Sequence, residues 1–199
     1  MIYIIFMFGG HHSSRFIVAI TGASGVIYGK RLLEVLKDKD AEIHLVISRS
    51  AEKIIEYELG VSRRDLEKYA DYNYSENDLD SPLASGSFKT DGMIIVPCSL
   101  KTIAGIASGF SSNLILRAAD VTIKEGRKLI LVPRETPLSS IHLRNMLELA
   151  RIGVVILPAM PAFYHKPTSI QDLVDFIVGK ILDNLGIEHN LYRRWAQIK

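Results

Sequence analysis

Apolar runs of five to seven residues, each closed by glycine, proline or serine, alternate along this chain with longer amphipathic stretches. A run with no polar alternation is buried on both faces, and a parallel sheet covered by helices provides that burial. The runs predict strands over 16–21, 42–48, 92–97, 128–133 and 153–157. Helical patterns fill 25–38, 50–59, 63–69, 99–107, 112–125, 139–151 and 169–185. In the last of these Leu173, Phe176, Ile177, Ile181 and Leu185 recur at helical spacing with Asp172 as the polar member, as packing on the sheet or on a neighbouring subunit requires. The class is therefore α/β, a doubly wound parallel sheet in three layers, and 199 residues suit one domain. Between 71 and 90 a stretch rich in Ser, Asp, Asn and Gly has no periodicity and reads as a long functional or mobile loop.

Composition narrows the setting. A net charge of +2 is too small for a surface that coats nucleic acid, though small anions remain possible ligands. The single cysteine, Cys98, lies in an apolar run and has no partner for an intrachain disulfide, so a reducing cytoplasm is expected. The apolar segment 1–8 is less than half the ~20 residues that cross a bilayer and lacks a basic leader and a cleavage site. Neither a membrane span nor a signal peptide is expected, and residues 1–14 read as a flexible extension before a domain over 15–199.

Open parallel sheets bind ligands at the carboxyl ends of their strands. The first strand ends in Thr21-Gly22-Ala23-Ser24-Gly25 and passes at once into a helix. Such a turn presents backbone N–H groups to a phosphate; the plainer reading is a tight turn with Ser24 as helix cap. The glycine spacing is not G-x-G-x-x-G, and the second strand ends in Ser48-Arg49 where a dinucleotide site would carry an acid. No tyrosine is followed by lysine four residues on, as a short-chain dehydrogenase needs. A mononucleotide such as FMN fits better.

The third strand runs into Pro97-Cys98-Ser99-Leu100-Lys101-Thr102, either a second anion-friendly turn or a simple Ser99 cap with Lys101 solvated. Cys98 reads as a packed core thiol. The fourth strand ends in Pro133-Arg134-Glu135-Thr136-Pro137, where prolines stiffen a corner holding a phosphate-gripping cation beside an acid or base; a surface ion pair is the alternative. Ser139 to His142 read as a cap and first turn. After the fifth strand, Pro158 to Pro167 form a ring-lined loop suited to an apolar substrate tail, with the Tyr164 hydroxyl as polar handle, or simply a cover over the sheet end. The six histidines are scattered with no H-E-x-x-H or Cys/His cluster, so no metal is expected.

Together, Thr21-Gly-Ala-Ser-Gly25, Ser48, Ala84-Ser85-Gly86-Ser87, Pro97-Cys-Ser99, Asn113-Leu114, Arg117-Ala-Ala-Asp120, Val132-Pro-Arg-Glu135, Ser139-Ser-Ile-His-Leu143 and Phe163-Tyr-His165 resemble, in order, the UbiX flavin prenyltransferase family. The resemblance runs from about Arg15 to Trp195. It implies a Rossmann-like homo-oligomer, dodecameric in well-known members, with sites at subunit junctions. It implies transfer of the dimethylallyl group of dimethylallyl phosphate to N5 and C6 of reduced FMN, giving prenylated FMN for a UbiD-type decarboxylase. Gly22, Ala23, Ser24, Ser48, Ser99, Leu100, Lys101, Thr102 and Arg134 match the family's FMN-binding positions. Lys124, Glu135, Tyr164 and Lys180 match positions around the prenyl phosphate, some supplied by a neighbouring subunit, and Ser24 and Glu58 match polar groups near flavin N5. Ser24, Glu58 and Glu135 are the implied catalytic residues, while Arg117 and Trp195 fall at substrate-linked positions. Ser24, Arg134 and Tyr164 are thus expected to meet in one pocket, neighbouring subunits included. Lys180 departs from the Arg of many relatives, which alters phosphate geometry. The chain has no D-D-x-x-D-like acidic cluster, in keeping with a metal-free reaction on a monophosphate. Two rivals stand beside this reading: a decarboxylase of the phosphopantothenoylcysteine type, for which 49–60 offers no histidine, and a non-catalytic flavin carrier.

Overall fold

Strand β1 (Arg15–Ile20) sends Ile17 and Ala19 to one face and Val18 and Ile20 to the other, all buried, so the sheet is covered on both sides. The computed structural model describes residues 14–197, and the expected extension lies, but for Ser14, outside the described residues. Beside β1 stand β2 (Glu42–Ile47), β3 (Tyr72–Tyr74), β4 (Gly92–Cys98), β5 (Lys128–Pro133) and β6 (Val155–Ile156). All pairings are parallel, in the order β3-β2-β1-β4-β5-β6. The helices are α1 (Val26–Asp38), α2 (Arg49–Leu59), α3 (Arg63–Glu67), α4 (Leu100–Ala107), α5 (Leu114–Lys124), α6 (Ser140–Arg151) and α7 (Ile170–Leu185). One core packs Leu32, Leu36, Ile55, Ile177 and Ile181 against Val18, Leu45 and Ile94. The opposite core packs Ile103, Ile115, Ala118 and Met146 against Ile17, Met93 and Leu131.

The five expected strands are present, and two details differ. The loop expected over 71–90 contains β3 and a 3₁₀ turn, Pro82–Ala84. β6 is shorter than expected because Gly153 sits at φ 89° and Val154 N–H donates to Leu149 O, which commits both residues to ending α6. Pairing with β5 then continues irregularly, Leu157 N–H donating to Leu131 O and Ala159 N–H to Pro133 O.

From β1 the chain builds outward through β2 to β3, then crosses to β4 on the other side of β1. The carboxyl ends of β1 and β4 therefore flank the crevice where such sheets bind ligands. Among the described residues no helix is long and apolar enough to cross a membrane, and no three His, Cys, Asp or Glu side chains form a metal-holding group.

Candidate active site

The crevice holds a cavity of about 410 Å³, within the ~300–1,000 Å³ usual for small-molecule sites. Gly22, Ala23 and Ser24 after β1, Ser99 and Leu100 after β4, and Arg134 and Glu135 after β5 form three of its walls. α2 supplies the fourth with Ile54, Tyr57 and Glu58. Arg134 and Glu135 also line an adjoining cavity of about 430 Å³, whose walls include Leu138, Met146, Pro158 and Met160.

The three turns are tied together by side chains. Thr21 Oγ1 donates to Pro97 O at 2.9 Å and accepts from Ser99 N–H at 2.8 Å, which locks the end of β1 to that of β4. Ser99 caps α4, its Oγ accepting from Thr102 N–H at 3.3 Å and meeting Thr102 Oγ1 at 2.9 Å. Arg134 reaches across from β5, its Nε donating to Ser24 O at 3.3 Å. Burial pushes the Tyr28 phenol up, and the positive charge of Arg134 partly offsets that rise.

The first turn departs from the plainer of the two readings given to it by sequence. Ser24 is not the cap of α1: that position is Gly25, at φ 100°, a conformation glycine adopts without strain. The orphan donors are filled from α2, where Glu58 Oε2 accepts from Gly25 N–H at 2.9 Å and Val26 N–H at 3.2 Å. The chain's own carboxylate thus takes two of the N–H groups at the head of α1. At the second turn Ser99 acts as the expected cap and Lys101 is exposed. Cys98 is fully buried, and burial pushes its thiol up, as a packed core residue requires.

Of the residues singled out from sequence, Gly22, Ala23, Ser24, Glu58, Ser99, Leu100, Arg134 and Glu135 line this one cavity. Ser48 is not among its lining residues; it caps α2, its Oγ accepting from Ala51 N–H, and meets Ser50 Oγ at 3.1 Å. Thr102 serves through Ser99. Tyr164 is not in this cavity within one chain but lines another of about 720 Å³, between the 164–167 loop and the 190–193 segment. Trp195 stacks edge-on to Tyr164 at 5.3 Å, and Lys180 lies 3.7 Å from Asp183. Arg117 pairs with Asp120 and donates to Ala84 O, and Lys124 pairs with Glu125. These five residues belong to other surfaces of the same chain. Sequence reading missed Ile54 and Tyr57, although with Glu58 they recur at i, i+3 and i+4 on α2; the spacing marks a face, but only the fold says what it faces.

The donor set suits FMN. Ala23, Ile54 and Leu100 offer apolar walls for a flat ring, Ser24 and Ser99 offer hydroxyls for a ribityl chain, and Arg134 offers the cation for a single phosphate.

Comparison with known proteins agrees. The Flavoprotein family model matches residues 10–182. The chain is 53% identical to the flavin prenyltransferase UbiX of Methanocaldococcus jannaschii over 92% of its own length and 100% of that protein. Among solved structures, the dodecameric FMN-dependent UbiX-like decarboxylase of Escherichia coli superposes with a TM-score of 0.89 at 50% identity, covering 91% of this chain and 98% of that one. AnUbiX (PadA1), crystallised with FMN and dimethylallyl pyrophosphate, superposes with a TM-score of 0.90 at 50% identity, covering 92% and 97%. With its sheet order, its cavity at the β1/β4 crevice and these relatives in agreement, the chain belongs to the UbiX flavin prenyltransferase family.

Proposed function

We propose that this protein is a flavin prenyltransferase, joining the dimethylallyl group of dimethylallyl phosphate to N5 and C6 of reduced FMN and releasing prenylated FMN to a UbiD-type decarboxylase. The observation that carries this is the meeting of Glu58, Ser24, Arg134 and Glu135 around one FMN-sized cavity in a chain of this family. Reduced FMN supplies an electron-rich ring that can capture an allylic carbon. The chain's own residues hold and screen. Arg134 braces the Ser24 carbonyl while presenting a cation to the cavity, and Glu58 holds the turn while keeping a carboxylate beside Ser24. Departure of phosphate needs positive charge near the leaving oxygens, which Lys124 and Lys180 supply in this reading, with Tyr164 as a hydroxyl donor.

Those three residues line other surfaces of the same chain, so the complete site is built from more than one copy, with the Tyr164 surface of one subunit closing the flavin cavity of another. The dodecameric relative in Escherichia coli supports this arrangement. The buried, unpaired thiol of Cys98 suits a reducing cytoplasm.

The reading is tested by anaerobic incubation of the purified protein with reduced FMN and dimethylallyl phosphate, then mass analysis of the released flavin. A five-carbon adduct is expected; its absence with both the monophosphate and the diphosphate donor leaves the flavin carrier in its place.

A further inference from the structure

Past the end of α7 the chain turns at Gly186 and runs back along the helix it has just left. Tyr192 packs on Phe176 at 4.9 Å, and both Tyr192 and His189 press on Gly179. A methyl group at position 179 would stand 2.6 Å from the Tyr192 ring and 2.7 Å from the His189 ring, so the close approach requires a glycine. Asp183, one turn further along α7, ties the segment down. Its Oδ2 accepts from the Tyr192 hydroxyl, and its Oδ1 accepts from Arg194 Nη2 at 2.7 Å and from His189 Nε2 at 3.2 Å. His189 Nδ1 accepts from Leu191 N–H, which in the neutral ring leaves Nε2 as the nitrogen that carries the proton.

An acid in the last turn of a helix is unfavourable to that helix, and α7 has no basic residue in its last turn to offset it. What the Asp183 carboxylate stabilises is therefore the returning segment. Burial alone would raise its carboxyl, but Arg194, Tyr192 and His189 outweigh burial and hold it at about 2. Burial, and then the carboxylate itself, push the Tyr192 phenol up, so that it stays a donor. With these three donors closer, Lys180 Nζ stands 3.7 Å away, alongside the carboxylate without being captured by it. The far end of the segment brings Trp195 edge-on to Tyr164 at 5.3 Å, and Leu191, Tyr192 and Arg193 wall the cavity of about 720 Å³. Lifting the segment would remove that wall and leave Tyr164 without its ring neighbour.

We propose that Asp183 is a positioning residue for prenyl transfer, pinning the 189–195 segment to α7 so that the surface carrying Tyr164, Lys180 and Trp195 is assembled before it meets the flavin cavity of another copy. This rests on the prenyltransferase reading for the reaction, while the seating of the segment is measured without turnover. The FMN-loaded protein is prepared as wild type, Asp183→Asn, Asp183→Leu and Gly179→Ala. Gly179→Ala leaves the carboxylate in place and favours the helix, but its methyl group displaces the two rings. Seating is read by mass analysis as the rate at which trypsin cuts after Arg193 and Arg194, because a pinned segment is cut only when it opens.

Asp183→Leu and Gly179→Ala should be cut about 10-fold faster than wild type, as loss of hydrogen bonds to a charged group implies, with Asp183→Asn, which keeps an acceptor oxygen, in between. In the flavin-adduct assay the KM for dimethylallyl phosphate should rise in the same order, while FMN affinity and kcat at saturating donor stay close to wild type. A merely structural role would lower melting temperature, flavin content and kcat together, and that result overturns the proposal. So does cutting of Asp183→Leu at the wild-type rate, or faster cutting with an unchanged KM. Should Asp183→Leu fail to fold, Gly179→Ala decides, and it must show both the faster cutting and the raised KM. Faster cutting in the variants with no adduct from any protein, wild type included, refutes the transferase reading while the seat on α7 stands.

Discussion

Glu58 shows how one side chain can decide what a turn is able to bind. Its carboxylate occupies the two N–H groups at the head of α1 that a glycine-rich turn would otherwise offer to phosphate. Removing it uncaps α1 and frees the turn: Glu58→Ala should lose about 1 kcal/mol of stability, the usual worth of a cap. Glu58→Gln keeps an acceptor oxygen, so its melting temperature and flavin content should stay close to wild type while adduct formation slows. Equal melting temperatures for wild type and Glu58→Ala would show that the cap contributes nothing. Arg134 and Glu135 were legible in the sequence because the prolines around them mark a strand end. The Glu58 contact was not, since it joins residues 33 apart and depends on which face α2 turns inward.

Element by element, the central strands were legible because they are long, mostly apolar runs, and β3 was not. Tyr72–Tyr74 is three residues inside a polar loop, and what fixes it lies on its neighbour. His44 of β2, 2% exposed, stacks on Tyr72 at 4.7 Å, meets Tyr74 Oη through Nδ1 at 2.9 Å and Glu42 through Nε2 at 2.8 Å. Phe88 packs edge-on to the same ring. Burial lowers the His44 pKa, more than the carboxylates of Glu42 and Asp71 raise it, with Arg15 adding to the fall. The folded state therefore binds this proton less readily than the unfolded chain. Stability should fall as pH drops through about 6.5, the unfolded value, and go on falling until the lower folded pKa is reached. Denaturant midpoints measured between pH 7.5 and pH 5 in wild type and His44→Phe, values of the order of the histidine range, should show a shallower loss in the variant. Parallel curves would mean that His44 is not the group responsible. β6 likewise ended early for a local reason, the Gly153 turn that closes α6, which an apolar run does not reveal.

At the scale of the whole molecule, the parallel sheet and its three layers followed from the alternation of apolar runs and helices, but the complete site did not. No feature of a single sequence says that Tyr164 and Arg134 face different cavities in one chain. The surface is prepared for company: Leu143 and Leu147 on α6, Met160, Phe163 and Trp195 are each more than half exposed, and Tyr57 at the rim of the flavin cavity is 88% exposed. Exposed apolar side chains of this number are what association covers. The most direct measurement pairs two shape-preserving variants, Glu135→Gln on the flavin side and Tyr164→Phe on the other, produced separately and then co-expressed with distinct tags so that mixed assemblies can be purified. Each variant alone should form the five-carbon flavin adduct slowly. In mixed assemblies some sites unite an intact Glu135 with an intact Tyr164 from another copy, so the rate should rise well above that of either parent. A rate no higher than the average of the two would contradict a site shared between subunits.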